Sequence, residues 1–568
     1  MQKLINIFHQ NFPEARRRDV VAWLFIIVGG SFVGLSIAYF SFRQGIDFGD
    51  GSTFFSFAHN LASGEAIYKD FIHFRTPGSY FLQSFFIDIF GDQQSSVRFA
   101  LKFESHVLYT FFFALAAAVF LRFKHVLIGA LSILLIVMLP PYAQLRTVLA
   151  LVAVVLYIHA YRVVKARSLW LVGSGVFVGL AFTFGQEAAL MAIVAIGLME
   201  IIQAKTHGLT TAMRRIGMLV LGTLLGALPL LLYVLIQSDL PTFLYYTLYY
   251  AFVLQPQGMD LVYPPFGHTN LIFYMVFILY FIIFYIFYSS KKLGIVEGIL
   301  LVFGIMRLVT LLGRSDIGHL LFILPEVLFL TLYAITNVKA AWFTRAHSLR
   351  FVPYGIALFV SFYAAINGSG MILIVSAVII YLAFYFKKPF KQRDEVIKDA
   401  NAIVLVVITS CFSILAYMLY PSFASTINTM STRGLTNTQV SGLNVTPEVY
   451  AEVTAVSETV KSLHPTTIFS YPIQPYYYSL APKHAARFMT FEPQTTEKEQ
   501  DQTIEDLKRT RPEVILYDPV QAESLSVPLG RINAYIRSNY KVERVVEYSR
   551  TFWIMMPNDK TKPIISEG

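Results

Sequence analysis

Cysteine is almost absent from this chain of 568 residues: the single Cys411 sits in an apolar run, so no intrachain disulfide can form. Charge is scarce as well. Asp, Glu, Lys and Arg make up 14% of the residues, against about 25% in an average soluble domain. With 56% hydrophobic residues, the chain carries more apolar surface than one water-soluble core can hide. That excludes an ordinary cytosolic enzyme, a disordered chain and a nucleic-acid binder. The polar region from Pro421 onward also lacks a glycine-rich phosphate loop, a His/Cys cluster with metal-ligand spacing and the Gly-x-Ser-x-Gly turn of hydrolases. No repeat of fixed period is present, which argues against an inverted-repeat transporter.

What is there is a succession of long apolar runs, rich in the 50 Phe and 33 Tyr of the chain. A spanning helix needs about 20 mostly apolar residues. Thirteen stretches qualify: 20–42, 97–121, 126–142, 146–163, 168–184, 188–203, 216–237, 271–288, 293–313, 319–336, 351–367, 370–386 and 402–420. The first is long and no small-x-small site follows it, so it reads as a retained anchor and not as a cleaved signal. The net charge of +10 is distributed unevenly. With residues 1–19 in the cytoplasm, the inner connectors hold the basic groups at 16–18, 162–167, 214–215, 291–292 and 387–398. The outer loops ahead of the last span hold only Arg43, Lys69, Arg75, Arg146 and Arg314, with Arg98 and Lys102 at the mouth of the second span. The positive-inside bias therefore fixes the orientation and accounts for most of the basic charge. An odd number of spans leaves residues 421–568 on the outer face.

Three segments exceed short connectors: the first outer loop (43–96), a second outer loop (238–270) and the polar C-terminal region. The two loops are too aromatic for disorder and read as amphipathic segments lying in the outer interface. In the C-terminal region, helical patterns at 447–463, 497–510 and 525–539 alternate with β-like runs at 467–471, 513–517 and 551–556. The fold class expected is a polytopic α-helical membrane protein of about 13 transmembrane helices, in a membrane unit 20–420, followed by a small extracytoplasmic α/β domain at 421–568.

Chemistry-bearing residues concentrate in the first outer loop. Asp47 and Asp50 come just after the first span, between Gly45, Gly49 and Gly51; Glu65, Tyr68, Asp70, His73 and Arg75 follow. Carboxylates between membrane-pressing aromatic segments lose hydration, which points to a cleft or a partner. Asp-Gly is also an ordinary turn former, so both readings stand at this level. Arg98 and Lys102 lie one helical turn apart and run against the positive-inside bias; they suit a phosphate at headgroup depth, or lipid phosphates met by snorkelling. A third group is Arg314, Asp316 and His319 in a short outer turn, with Arg307 two turns earlier inside the membrane. Gln186-Glu187 interrupts the apolar stretch between 168 and 203, which suggests a broken hairpin with Glu187 at the outer side.

Several of these residues fall in a familiar order. Asp just after the first span is followed by Leu-Ala-Ser-Gly64, Ala-Ile-Tyr68-Lys-Asp70-Phe and Arg75-Thr-Pro77, then by a helix ending in Phe-Gly91-Asp and by Val-Arg98. This resembles the C-type membrane glycosyltransferases of the family 39-like group, which includes protein mannosyltransferases and aminoarabinose transferases. The resemblance is densest over about 20–200, and the run from His319 to Pro325 extends it. It implies a sugar donor linked to polyprenyl phosphate and transfer on the outer face, with inversion. It also implies a loop carboxylate that acts on the acceptor. The family usually has two adjacent acids there; here Phe48 and Gly49 separate Asp47 from Asp50, and the spacing back from Ser63-Gly64 favours Asp50. Arg75, two residues before Pro77, stands where the family places a basic residue, and is implied as a ligand of the donor phosphate together with Arg98, His319 and Arg314. Tyr68, Asp70, Glu187 and Asp316 are implied on the substrate side.

The expected partners are thus a polyprenyl-phosphate sugar, an acceptor of undetermined kind and membrane lipid, with no nucleic acid. No cofactor or metal site is expected, and a divalent cation at the acidic loop stays open. A bacterial plasma membrane is the expected location. Competing readings are a polysaccharide polymerase or ligase, a flippase or transporter of lipid-linked sugars, and a surface-assembly scaffold. The polymerase would place its long functional loop later in the chain.

Overall fold

The computed structural model describes residue 12 and residues 15–43, 45–137, 145–163, 166–254, 294–311, 329, 439–481, 483–491 and 495–558. Six described helices are long and apolar enough to cross a membrane by length and composition: Arg17–Ser41 (α1), Gln94–Phe120, Leu145–Arg162 (α7), Arg167–Phe184 (α8), Gln186–His207 (α9) and Leu209–Gln237 (α10). Each coincides with an expected span. The third and ninth spans are represented by Val126–Val137 (α6) and Ile295–Leu311 (α12), whereas the spans at 271–288, 351–367, 370–386 and 402–420, and that at 319–336 apart from Phe329, lie outside the described residues. Leu24, Phe25, Val28 and Phe32 of α1 are exposed, a continuous apolar face that a bilayer accommodates and water does not. The chain is an integral membrane protein.

Two features shape the bundle where it matters for the site. The second span is not uniform: Gln94–Lys102 (α4) passes through a wide π-turn, Phe103–Leu108, before Tyr109–Phe120 (α5) resumes regular winding. And α8 and α10 cross so closely that side chains are excluded. A Cβ on Gly175 would lie 2.1 Å from the Leu219 carbonyl oxygen, and one on Gly226 would lie 2.1 Å from that of Val176. This small-residue contact replaces the hydrophobic drive that is missing between helices in lipid.

The loop between the first two spans is built from two short helices, Asp50–Ala62 (α2) and Gly78–Phe90 (α3). Between them the chain makes a tight excursion. Tyr68 takes a left-handed φ of 70°, costly for a side chain with a Cβ. It is held there by its N–H to the Phe71 carbonyl at 2.7 Å and its hydroxyl to the Arg75 carbonyl at 2.7 Å. The excursion is tied to the C-terminal end of α10: the Ile67 N–H donates to the Tyr233 hydroxyl at 3.0 Å, and the Ser238 hydroxyl donates to the Ile67 carbonyl. After α10, Leu240–Leu244 (α11) runs into a π-helical stretch, Tyr245–Leu254.

The C-terminal region is the expected α/β unit. A short antiparallel pair, β1 (Gln439–Val440) and β2 (Leu443–Asn444), precedes helices Pro447–Ser462 (α13), Glu497–Thr510 (α14), Pro519–Ser524 (α15) and Gly530–Asn539 (α16), which flank a five-stranded sheet. β3 (Thr467–Tyr471) pairs in parallel with β4 (Lys483–His484) and β5 (Val514–Tyr517); β7 (Thr551–Pro557) runs antiparallel to β5 and to β6 (Tyr540–Glu547). β6 is the longest strand that the sequence pattern misses; the two-residue β1, β2 and β4 are too short to show one. Lys541, Glu543, Arg544 and Glu547 give it the polarity of a loop, because it is an exposed edge that charge protects against further pairing. The sheet does not stand apart from the loop. Phe55, Phe57, Ile67, Tyr68 and Phe71 share one apolar core with Val453, Ile468, Val514 and Phe552. Polar ties reinforce it: the Gly45 N–H donates to the Asn444 carbonyl at 2.9 Å and the Asn444 N–H to the Arg43 carbonyl at 2.7 Å, the Ser56 hydroxyl donates to the Pro475 carbonyl at 2.6 Å, and the Ile72 N–H donates to the Arg487 carbonyl at 2.9 Å.

Candidate functional site

The cationic centre of the molecule forms where three helix ends and one loop meet. α8 ends at Phe184, Gly185 breaks the chain and α9 begins at Gln186, so the interruption foreseen at Gln186-Glu187 is a true break between two helices. Gly185 also makes room: a Cβ there would fall 2.1 Å from Cδ of Arg146, the second residue of α7. Arg146 uses that space to form an ion pair with Glu187. Arg75 and Arg307 both lie within electrostatic reach of Arg146 and of Glu187. Arg307, on α12, is 3% exposed and its guanidinium donates toward the Met191 sulfur at 3.7 Å. Glu104, from the π-turn, is within reach of Arg146 as well. Three guanidinium groups thus face two carboxylates, and two helix N-termini, those of α7 and α9, add their partial positive charge.

Arg75 is delivered by backbone contacts. The Thr76 N–H donates to Gln186 Oε1 at 3.2 Å, and Gln186 Nε2 donates to the Phe74 carbonyl at 2.8 Å, a reciprocal clasp between the loop and the start of α9. Gly78 lets the segment press against α8, since a Cβ there would sit 2.5 Å from the Thr183 carbonyl oxygen. Burial, with Arg75 adding to it, holds the His73 imidazole well below its usual pKa, so the ring is neutral. Its Nδ1 accepts from the Arg75 N–H at 3.1 Å and meets the Tyr80 hydroxyl at 3.1 Å. The Arg75 guanidinium itself makes no hydrogen bond among the described residues and rests over the Phe74 ring at 5.5 Å. It is left with donors to give.

The two loop acids occupy another place. Asp47 accepts from the Gly49 N–H at 3.0 Å and the Gly51 N–H at 2.9 Å, capping the start of α2 with both oxygens. Asp50 opens α2, is exposed, and has no hydrogen bond or ion pair among the described residues. Arg98 donates to the Gly45 carbonyl at 2.9 Å and lies within reach of Asp47, with Lys102 beside it. Phe48, between the acids, packs against Tyr476, and the Arg550 guanidinium covers its ring at 3.7 Å while pairing with the buried Glu452.

The two basic residues grouped in the sequence reading are therefore separated. Arg75 stands with Arg146, Glu187 and Arg307, whereas Arg98 ties down the loop that carries Asp47. The reason lies in what each segment is tied to: Arg98 bonds Gly45 at the beginning of the loop, whereas the clasp of Gln186 on Phe74 and Thr76 holds Arg75 at the start of α9. Tyr68 is buried and spends its hydroxyl on the Arg75 carbonyl, and Asp70 accepts from the Ala66 N–H at 2.8 Å, so both shape the loop. Arg314, Asp316 and His319 lie outside the described residues. Arg146, Gly185 and Glu104 were not singled out as site residues. Arg146 had one signal, a cation on the outer side against the positive-inside bias. Among the described residues no group of three or more His, Cys, Asp or Glu side chains is arranged to hold a metal ion.

No protein-family model matches the chain, and no curated protein matches it. Among solved structures, ArnT from Cupriavidus metallidurans in the apo state is similar over 96% of this chain and 99% of its own, at 13% identity and a TM-score of 0.49. The same protein bound to undecaprenyl phosphate is similar over 95% of this chain and 99% of its own, at 13% identity and 0.48. The archaeal oligosaccharyltransferase AglB from Archaeoglobus fulgidus, in complex with an inhibitory peptide and a dolichol-phosphate, is similar over 96% of this chain and 75% of its own, at 12% identity and 0.46.

Proposed function

We propose that this protein transfers a sugar from a polyprenyl-phosphate donor to an acceptor hydroxyl on the outer face of a bacterial plasma membrane, inverting the anomeric carbon. The observation that carries the reading is the meeting of Arg75, Arg146 and Arg307 around Glu187 at the start of α9; Asp50, at the start of α2, belongs to the same loop that delivers Arg75. A phosphate monoester carries the charge this excess of cations calls for, and the isoprenoid tail belongs in the bilayer. Asp50, whose carboxylate is uncommitted, is the base: it takes the proton of the acceptor hydroxyl as that oxygen attacks C1. The C1–O bond breaks on the opposite face, and its electron pair leaves with the phosphate, where the guanidinium groups stabilise it. The transition state is oxocarbenium-like, so no nucleotide-sugar fold is required. Asp47 supports this by fixing the turn that holds Asp50, and Arg98 by fixing Gly45. The N-terminus is on the cytoplasmic side in this reading and the α/β unit covers the loop from outside.

The test is the full chain purified in lipid nanodiscs, with its co-purified lipid identified by mass spectrometry and supplied as donor. Release of free polyprenyl phosphate is then followed with the unaltered protein, D50N and R75M. The expectation is turnover by the first and a loss of about 100-fold or more in D50N, the usual scale of a missing general base. Equal release by all three would refute the proposal.

A further inference from the structure

The π-turn Phe103–Leu108 lies within the second span and turns Glu104, Ser105 and His106 inward, all three buried. Such turns insert one residue into a helix and recur at functional sites. Here the insertion brings a carboxylate to the edge of the cationic centre. Glu104 Oε1 accepts from the Ser79 hydroxyl at 3.1 Å and from the Leu145 N–H at 3.4 Å. Those two donors belong to the two chain segments that deliver the cations. Ser79 lies four residues beyond Arg75, just past Pro77 and Gly78, and Leu145 is the residue before Arg146 at the beginning of α7. The N–H groups of a helix's first turn have no partner inside the helix, so a carboxylate from another segment both caps α7 and meets its positive end. Glu104 Oε2, by contrast, is buried and has no hydrogen-bond partner among the described residues. A half-satisfied buried carboxylate is costly and is seldom retained without a task.

We propose that Glu104 is a positioning residue, a brace whose one oxygen sets the separation of Arg75 and Arg146 so that a single phosphate group can be held by both. The proposal rests on the reading of that cluster as a polyprenyl-phosphate grip. Its physical content is that the hydrogen bonds, more than the charge, do the positioning. An amide keeps an acceptor oxygen for Ser79 and Leu145; a methyl group does not.

The experiment uses the full chain in nanodiscs and titrates undecaprenyl phosphate, with the neutral undecaprenol as control, against the unaltered protein, E104Q, E104A and S79A. Binding that is specific for the phosphate in the unaltered protein, about tenfold weaker in E104A, within about threefold in E104Q and intermediate in S79A, supports the brace. Thermal denaturation of each variant separates a lost brace from a lost fold, and S79A carries the test if E104A does not fold. Affinity in E104A equal to that of the unaltered protein overturns the brace alone. So does E104Q binding as weakly as E104A, because the charge would then be the working element. Absence of phosphate-specific binding in the unaltered protein refutes the grip itself, and the brace falls with it.

Discussion

Glu187 is the carboxylate about which the three arginines gather, and replacing it by glutamine tests the whole arrangement. The side chains of Arg146 and Glu187 are 10% and 29% exposed, so their pair is neither fully buried nor at the surface. Removing one partner of a deeply buried pair costs about 3–5 kcal/mol, and exposed pairs are worth about 0–1 kcal/mol. The partial exposure of Glu187 places E187Q near 2 kcal/mol by interpolation between those limits. The remaining guanidinium groups then repel one another with one compensating charge fewer. An anion should replace what was lost. Undecaprenyl phosphate at about 100 times its Kd adds about 2.7 kcal/mol to any protein that binds it only when folded. In E187Q its phosphate also relieves the repulsion, so the gain is larger. Thermal unfolding in nanodiscs, with and without the lipid, reads both effects. E187Q should melt several degrees below the unaltered protein without lipid and recover more of that loss when lipid is added. If E187Q melts with the unaltered protein, or if the lipid stabilises it less, the cluster is not an anion site held open by one carboxylate.

Other expectations follow from individual contacts. D47N exchanges one of the two oxygens that cap α2 for an amide NH2 facing an N–H, so it should cost about 1 kcal/mol of stability and reduce turnover less than D50N does, measured in the donor-release assay. G175L would put its Cβ inside the Leu219 carbonyl and prise α8 from α10; the overpacking penalty of about 1–3 kcal/mol or more should appear as a lower yield of monodisperse protein. Burial disfavours the charged form of His484, but its 2.8 Å bond to Glu65 outweighs this and raises the folded pKa above 6.5. A raised pKa means that this contact contributes fully below the unfolded value and is lost as pH rises through the folded one. The melting temperature of the unaltered protein should therefore fall toward that of H484Q as pH increases past that point, and a constant difference across the range would refute the assignment.

How far the sequence reaches is clearest at particular residues. The run of apolar stretches locates α1, the second span and α7 to α9 within a few residues, and the end of α10, because hydrophobic length is a local property that a bilayer reads directly; α10 begins earlier, at Leu209, in a polar turn that apolar length does not mark. The same holds for the helix over 497–510, whose capping box of Thr496 and Glu499 marks its start. β6 was hidden, since an edge strand covered in charge carries no apolar alternation. The acids after the first span were legible as candidates, but their division of labour was not: both sit among glycines, and only the folded turn commits Asp47 to two backbone amides and leaves Asp50 uncommitted.

By itself, then, the chain's pattern of apolar length determines that this is a many-span membrane protein with a long aromatic loop after the first span and an α/β unit after the spans. Tertiary structure alone decides that Arg75 joins Arg146 and Arg307 while Arg98 does not, and that Glu104 and Gly185 matter to them. The partners are separated by tens to hundreds of residues, and no local periodicity encodes which helix ends will meet. That depends on the close crossing of α8 with α10, the break at Gly185 and the clasp of Gln186 on Thr76, each a contact between segments whose sequences carry no sign of one another.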